Sequence, residues 1–372
     1  MKRTWLGALS VFAAALLLYS VTAFPPNPYN EQVRTAFAYL HGSLSINAPQ
    51  NFLEHAQVGP WSYALHPPAA AIAMMPMVAI WGMNTSMLAF SLVCGALDVM
   101  LAWLLLGQLN LDRSGQRWLT AFFGLGTIVW TETLFASTWT MPEVVGLAFI
   151  LLTLIELLGR GRPLQVGLWA ALSALSLYQL ALAVPIYAMI LRRARRNPLQ
   201  MALPLAAAGL VYCGLNEARY GSLFDHGLWF IPNVYPDPAF GLKWLPMNLN
   251  TLLFMTPSLN SVFPYLHPNA AGQGLLLTSP AFVLALRPTF RSLSAITMGL
   301  LAAIVAAPML LIWSNGFAQF GCRHFVPMFP FLLVMMALGL PRGRADWLTK
   351  ILICISVIIL SYFVWHIRAY GL

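Results

Sequence analysis

Charge is what this sequence has least of. Of its 372 residues, 8% are Asp, Glu, Lys or Arg and 59% are hydrophobic, whereas soluble domains carry roughly 25% charged residues. So few charges cannot cover a water-facing surface, which excludes a soluble globular protein. Lysine is nearly absent: Lys2, Lys243 and Lys350 stand against seventeen arginines. The four cysteines make no CxxC pair; Cys94, Cys213 and Cys354 lie in apolar runs and Cys322 sits alone beside Arg323. A disulfide framework and a thiolate metal site are thereby excluded. No HxxxH or HExxH joins the seven histidines, so the spacing of the common zinc enzymes is missing too. No repeat period and no break in composition divides the chain, which reads as one unit over residues 1–372.

What is present is a series of apolar runs near 20 residues long, the length that crosses a ~30 Å hydrocarbon core. They fall near 5–24, 67–83, 87–108, 117–137, 142–158, 164–191, 199–215, 272–286, 293–313, 325–340 and 347–365. The pattern predicts an all-α, polytopic transmembrane bundle of about eleven hydrophobic helices. The first run follows a charged start, as in a signal peptide or an uncleaved first span; in a chain embedded throughout, the span is the expected state. The net charge of +9 comes in short clusters between runs. That encodes orientation rather than nucleic-acid binding.

Two long stretches are not spans: 25–66, and 216–271, rich in Pro, Asn and aromatics. Met1–Arg3, "RRARR" at 192–196 and "PRGRADW" at 341–347 belong on the cytoplasmic side. That assignment puts 216–271 and the "SNGFAQFGCRHF" loop (314–325) outside, with Arg287 and Arg291 inside. If every run crosses, Arg113/Arg117 and Arg160/Arg162 face outward, against the rule. If 67–83 dips into the outer interface and 164–191 breaks at "SLYQ" (176–179) and folds back, all basic clusters lie inside and "ASTWTMPE" (136–143) outside. Both versions place 25–66, 216–271 and 314–325 on one outer face.

Three polar segments on one face make a candidate site. Its acids are Glu31, Glu54, Glu143, Glu217, Asp225 and Asp237. A carboxylate at a membrane-edge cavity can take a proton from a hydroxyl, or hold a divalent cation against a phosphate. A divalent cation is the one cofactor these residues suggest. The complementary cations are Arg323, Arg219 and Lys243; an arginine fork suits a pair of phosphate oxygens. His41, His55 and His66 share the first outer loop, with His41 and His66 as candidate substrate contacts. Asp98 and Glu132 lie inside apolar runs, where a carboxylate pairs with a neighbour or lines a pathway. Trp61, Tyr63, Trp139, Trp229 and Trp244 read as interfacial aromatics that would also suit a sugar or lipid groove.

The order of several motifs carries a resemblance. "NPYNEQVRTAFAYLHGSLSINAP", "HPPAAAIAMMPMVAIWG", "GRGRPLQVGLWAALSALS", "LNEARYGSLFDHG", "LLLTSPAF" and "FAQFGCRHFVPMFPFLLV" follow one another as in bacterial members of the GT-C superfamily. These are polytopic glycosyltransferases similar to protein O-mannosyltransferases. The resemblance covers almost the whole chain and implies a glycosyltransferase of the bacterial inner membrane, its site facing the periplasm or exterior. It implies a sugar donor on a polyprenyl phosphate, a lipid, glycan or protein acceptor hydroxyl, and inversion at the sugar carbon. Carried over, Glu31 is the base or metal-binding acid, Glu143 a second acid and Arg323 a phosphate contact. The chain departs from the family at Asn27 and Asn30, where an Asp is frequent. It departs again at Leu177-Tyr178-Gln179, where an Arg or Lys commonly breaks the segment; the first change brings in Glu54 as an alternative acid. Two rival classes remain open: a lipid or sugar transporter (flippase), and a non-catalytic GT-C-like assembly protein.

Overall fold

The computed structural model describes residues 2–46, 55–225, 227, 230, 239–288, 292–314 and 316–371. Glu54, Trp229, Asp237 and Arg291 therefore lie outside the described residues. The chain begins with helix α1 (Lys2–Thr22), the short α2 (Glu31–Leu40) and a hairpin of β1 (His55–Val58) with β2 (Trp61–Ala64). Next come α3 (Ala69–Trp81), α4 (Met87–Leu106), α5 (Arg113–Leu125), α6 (Val129–Phe135), α7 (Met141–Leu158), α8 (Pro163–Ala174), α9 (Val184–Arg193) and α10 (Ala202–Tyr220). After α10 come α11 (Leu245–Leu253) and a two-residue ladder of β3 (Ser258–Leu259) with β4 (Leu266–His267). Then follow α12 (Leu275–Thr278), α13 (Leu293–Leu310), α14 (Phe329–Leu338) and α15 (Trp347–Tyr370).

The all-α polytopic architecture is the expected one, but the eleven apolar runs do not become eleven full-length helices. Six helices among the described residues are long and apolar enough to cross a membrane: Trp5–Thr22, Met87–Leu106, Met141–Leu158, Pro198–Tyr220, Leu293–Leu310 and Trp347–Tyr370. The other runs are short or broken, for local reasons. Leu177 has extended backbone (φ −145°, ψ 109°), so 164–191 splits into α8, a 3₁₀ turn at Tyr178–Ala183, and α9 with proline in its first turn. That break lies where "SLYQ" was expected to place it. Run 117–137 divides at Gly126, which ends α5. Pro280 and Pro327 sit in 3₁₀ turns that interrupt the runs around them, since proline supplies no N–H for a continuing helix. The 13 residues of α3 reach about 20 Å, short of a ~30 Å core.

Apolar surface faces outward where lipid would be. Leu6, Leu9, Leu17 and Val21 of α1 and Leu203, Leu210 and Val211 of α10 are exposed, while Ala8, Ala15 and Tyr19 turn inward. Gly95 of α4 meets the Thr133 side chain so closely that an added Cβ has no room. Small residues allow such backbone approach between membrane helices. One large core joins α1, α4–α7 and α13–α15. A second, smaller cluster of Val33, Ala36, Ala70, Met74, Met141 and Val145 seats α2 on α3 and on the first turn of α7. That small cluster positions the site, because Glu31 opens α2 and Glu143 lies in the first turn of α7.

Candidate active site

The loop between α6 and α7 and the start of α2 hold each other. Ala136 ends α6 in the left-handed region (φ 43°, ψ 46°), turning the chain sharply. Thr138 then donates its backbone N–H (3.0 Å) and its hydroxyl (2.8 Å) to the Tyr29 carbonyl. The same hydroxyl oxygen accepts the Glu31 N–H at 3.1 Å. Asn30 offers α2 no side-chain cap, and Thr138 satisfies one of the N–H groups that a helix start leaves without an intrahelical partner. Asn30 instead accepts from Arg34 Nε at 2.9 Å, and Asn27 accepts the Tyr29 N–H at 2.9 Å. Both asparagines shape the entry to α2.

Glu31 is fully buried. Its Oε1 lies 2.8 Å from His66 Nδ1, and His66 arrives on the short loop that leads from β2 into α3. Glu31 Oε2 is buried with no hydrogen-bond partner. One carboxylate oxygen thus orients an imidazole while the other remains available to a hydroxyl.

Glu143 makes the second centre. Its Oε1 lies 3.5 Å from His324 Nδ1 and 3.9 Å from Arg323 Nε, the latter too long for a hydrogen bond. Arg323 Nη1 donates to the Gln319 side chain and the Phe317 carbonyl, each at 3.3 Å, and Nε has no hydrogen-bond partner. Glu143 also interacts electrostatically with His66, and Glu132 with both Glu143 and Arg323. The two centres are therefore one buried polar cluster. Glu31, Glu132 and Glu143 face Arg323, His66 and His324, with Glu143 Oε2 and both Glu132 oxygens unpartnered. A native interior leaves few buried polar groups unpaired, and a concentration of them marks a place that handles polar ligands.

Arg219, buried at the end of α10, flanks the cluster. It donates to Tyr39 Oη and, at 3.3 Å, to the Ala64 carbonyl. Burial raises the Tyr39 phenol above its ordinary value, and the Arg219 charge opposes that shift. Burial, followed by the Glu132 carboxylate, pushes the Cys322 thiol up to about 12, so it is protonated and unreactive near neutrality.

Of the residues expected from the sequence, the structure brings Glu31, His66, Glu143 and Arg323 together, with Arg219 beside them. It does not bring in two others. Lys243 is exposed with its ammonium over the Trp244 ring at 4.6 Å. His41 is exposed at the far end of α2, its ring tilted against Phe37 and bonded to the Phe37 carbonyl. Glu54 lies outside the described residues. Sequence reasoning missed His324, Gln319 and Thr138; the adjacency of His324 to Arg323 was the one available signal. For a divalent cation the fit is poor: among the described residues no group of three or more His, Cys, Asp or Glu side chains is arranged to hold a metal.

No protein-family model matches the sequence, and comparison with curated proteins finds no significant relative. Among solved structures, the chain is similar to the crystal structure of ArnT from Cupriavidus metallidurans bound to undecaprenyl phosphate. The TM-score is 0.52 with 14% identity, over 90% of this chain and 59% of that one. The chain thus spans about three-fifths of the length of that neighbour. At this identity the likeness concerns the fold alone, and it bears out a polytopic helical membrane fold.

Proposed function

We propose that the chain is a glycosyltransferase of the bacterial inner membrane. It moves a sugar from a polyprenyl-phosphate donor to an acceptor hydroxyl on the outer, periplasmic face. The observation that carries this reading is the single buried cluster of Glu31, His66, Glu143 and Arg323, assembled from four segments distant in sequence. The undecaprenyl phosphate bound to the structural neighbour supports the class of donor.

In the proposed step the acceptor oxygen attacks the anomeric carbon as the bond from that carbon to the phosphate oxygen breaks. The electron pair leaves on the polyprenyl phosphate, and the acceptor proton passes to Glu31, oriented by His66. Arg323, placed by Gln319 and by Glu143, meets the developing phosphate charge, with Arg219 as a second cation. An apolar cavity of about 290 Å³ between α8, the 3₁₀ turn and α10, lined by Ala174, Tyr178, Ala208 and Tyr212, gives a place for the tail. Tyr178 lies within electrostatic reach of Arg219 and Tyr39, so the cavity leads toward the cations.

The test replaces Glu31, Glu54 and Glu143 singly with Gln and measures transfer in membranes from labelled polyprenyl-linked sugars. Loss of transfer in Glu31→Gln with unchanged expression is the expected result. Full transfer in all three would overturn the assignment of the acids, and movement of the intact labelled donor without cleavage would favour the transporter.

A further inference from the structure

A second cavity system lies at the other end of the bundle and takes no part in the proposed chemistry. Helices α1 and α5 both pack along α4 but have little contact with each other. The gap between them is a slot of about 250 Å³ with Ala14, Ala15 and Ala121 in its walls and Val99 and Trp103 in its floor. A wider cavity of about 600 Å³ adjoins it through Trp103 and Arg117, and Arg113 and Gln116 line that mouth. The closed end is tied by Tyr19, whose hydroxyl donates to the Gly124 carbonyl at 2.7 Å. From Leu6 to Tyr19 the slot follows about 20 Å of α1, more than one leaflet of a ~30 Å core.

Its chemistry is that of an amphiphile with a negative head. The inner slot is overwhelmingly apolar. The mouth presents two exposed arginines one helical turn apart, on one face of α5. Neither has an ion-pair partner among the described residues; the nearby Asp112 caps α5 through the Gly115 N–H (2.7 Å) and lies 4.0 Å from Arg344. Two adjacent guanidinium groups repel each other unless an anion lies between them, and their forks match phosphate oxygens. The mouth is at the N-terminal end of α1, opposite the carboxylate cluster, which follows its C-terminal end.

We infer that the slot between α1 and α5 is a binding site for an anionic phospholipid, with an acyl chain along Ala14, Ala15 and Ala121 and the headgroup phosphate on Arg113 and Arg117. The occupant is a bilayer lipid. The apolar slot is too long for a free phosphate to use, and the paired cations select against a zwitterionic head. The inference is independent of the sugar-transfer reading.

The full chain, purified and stripped of lipid in detergent, is titrated with phosphatidylglycerol, with phosphatidylcholine of the same acyl chains, and with inorganic phosphate. Thermal unfolding and native mass spectrometry are the readouts. Phosphatidylglycerol is expected to raise the unfolding temperature by a few degrees and to remain as one bound molecule; the other two are not. Arg113→Gln/Arg117→Gln removes that response, whereas Arg195→Gln/Arg196→Gln, elsewhere among the basic clusters, keeps it. A phosphatidylglycerol with a photoreactive acyl chain labels α1 and α5 in the wild type, and Ala121→Phe, which fills the slot, abolishes that labelling. Equal shifts with both lipids, an undiminished response in the Arg113/Arg117 variant, or labelling that survives Ala121→Phe overturns the proposal.

Discussion

Glu31 and Arg323 show what single residues do in this chain. Each is a buried charge with one side of its hydrogen-bonding capacity used and the other unspent, an arrangement that is costly unless something polar completes it. If Arg323 stabilises a departing phosphate, Arg323→Gln should lower kcat about 10²–10³-fold, the usual effect of losing one preorganised charge-stabilising donor. Arg323→Lys should recover part of that loss, because the charge returns without the fork. Retained kcat in Arg323→Gln, measured on protein of normal expression, would remove the residue from the mechanism. His66→Asn should act more mildly, up to about 10²-fold, since it misplaces Glu31 without deleting it. A pH–rate profile would separate misplacement from lost acid–base chemistry. Glu31, His66, Glu143 and Arg323 were legible in the sequence because a charge is conspicuous in so apolar a chain. His41 and Lys243 were equally conspicuous, and membership of a polar loop does not tell where on that loop the pocket lies. His324 and Thr138 were invisible for the opposite reason: their places in the cluster depend on the left-handed turn at Ala136 and on the close return of residues 316–325, neither of which has a strong local signature.

At the scale of elements, the apolar pattern located helices well and their continuity less well. The break after α8 could be read from "SLYQ", and Leu177 supplies it. The division of 117–137 into α5 and α6 could not, because Gly126 alone inside an apolar run is compatible with a continuous span. Helix caps offer a direct check. Asp346 caps α15 by accepting the Thr349 N–H at 2.9 Å and also pairs with Arg287 at 3.1 Å. Its burial pushes the carboxyl upward, but the hydrogen bonds from Thr349 and Arg287 and the Arg287 charge outweigh it and hold it below its ordinary 3.8. A depressed folded-state value means that the contribution is present above pH 3.8 and is lost as pH falls through the folded value. Thermal unfolding should therefore show an acid-side loss below about pH 4 that Asp346→Asn lacks, because asparagine still caps but does not titrate. Asp346→Ala should cost about 1 kcal/mol at neutral pH through loss of the cap. An identical acid limb in Asp346→Asn would show that this carboxylate is not the group responsible.

For the whole molecule, the proposed site requires its segments to share one side of the membrane. Residues 25–46, 136–143 and 316–325 meet in one cluster, and the proposed orientation puts Arg113, Arg117 and the 192–196 cluster on the opposite side of the membrane. Impermeant thiol reagents applied to intact cells should label Gly42→Cys and Phe317→Cys in a background without the four native cysteines. They should reach Arg195→Cys only after permeabilisation. Gly42 and Phe317 on opposite sides of the membrane would dissolve the site. The general architecture was readable because hydrophobicity sets spans without reference to any partner. The make-up of the cluster was readable only in outline, because it is made by contacts between segments about a hundred residues apart, such as Glu31 with Thr138.

The most direct measurement is the release of free polyprenyl phosphate by the purified full chain in proteoliposomes, using a panel of polyprenyl-phosphate sugars with acceptor-bearing envelope extract. The account predicts release coupled one-for-one to acceptor glycosylation by the wild type, and its loss in Glu31→Gln with donor binding retained. Release at the wild-type rate by Glu31→Gln, or binding of every donor in the panel with cleavage of none, would contradict it.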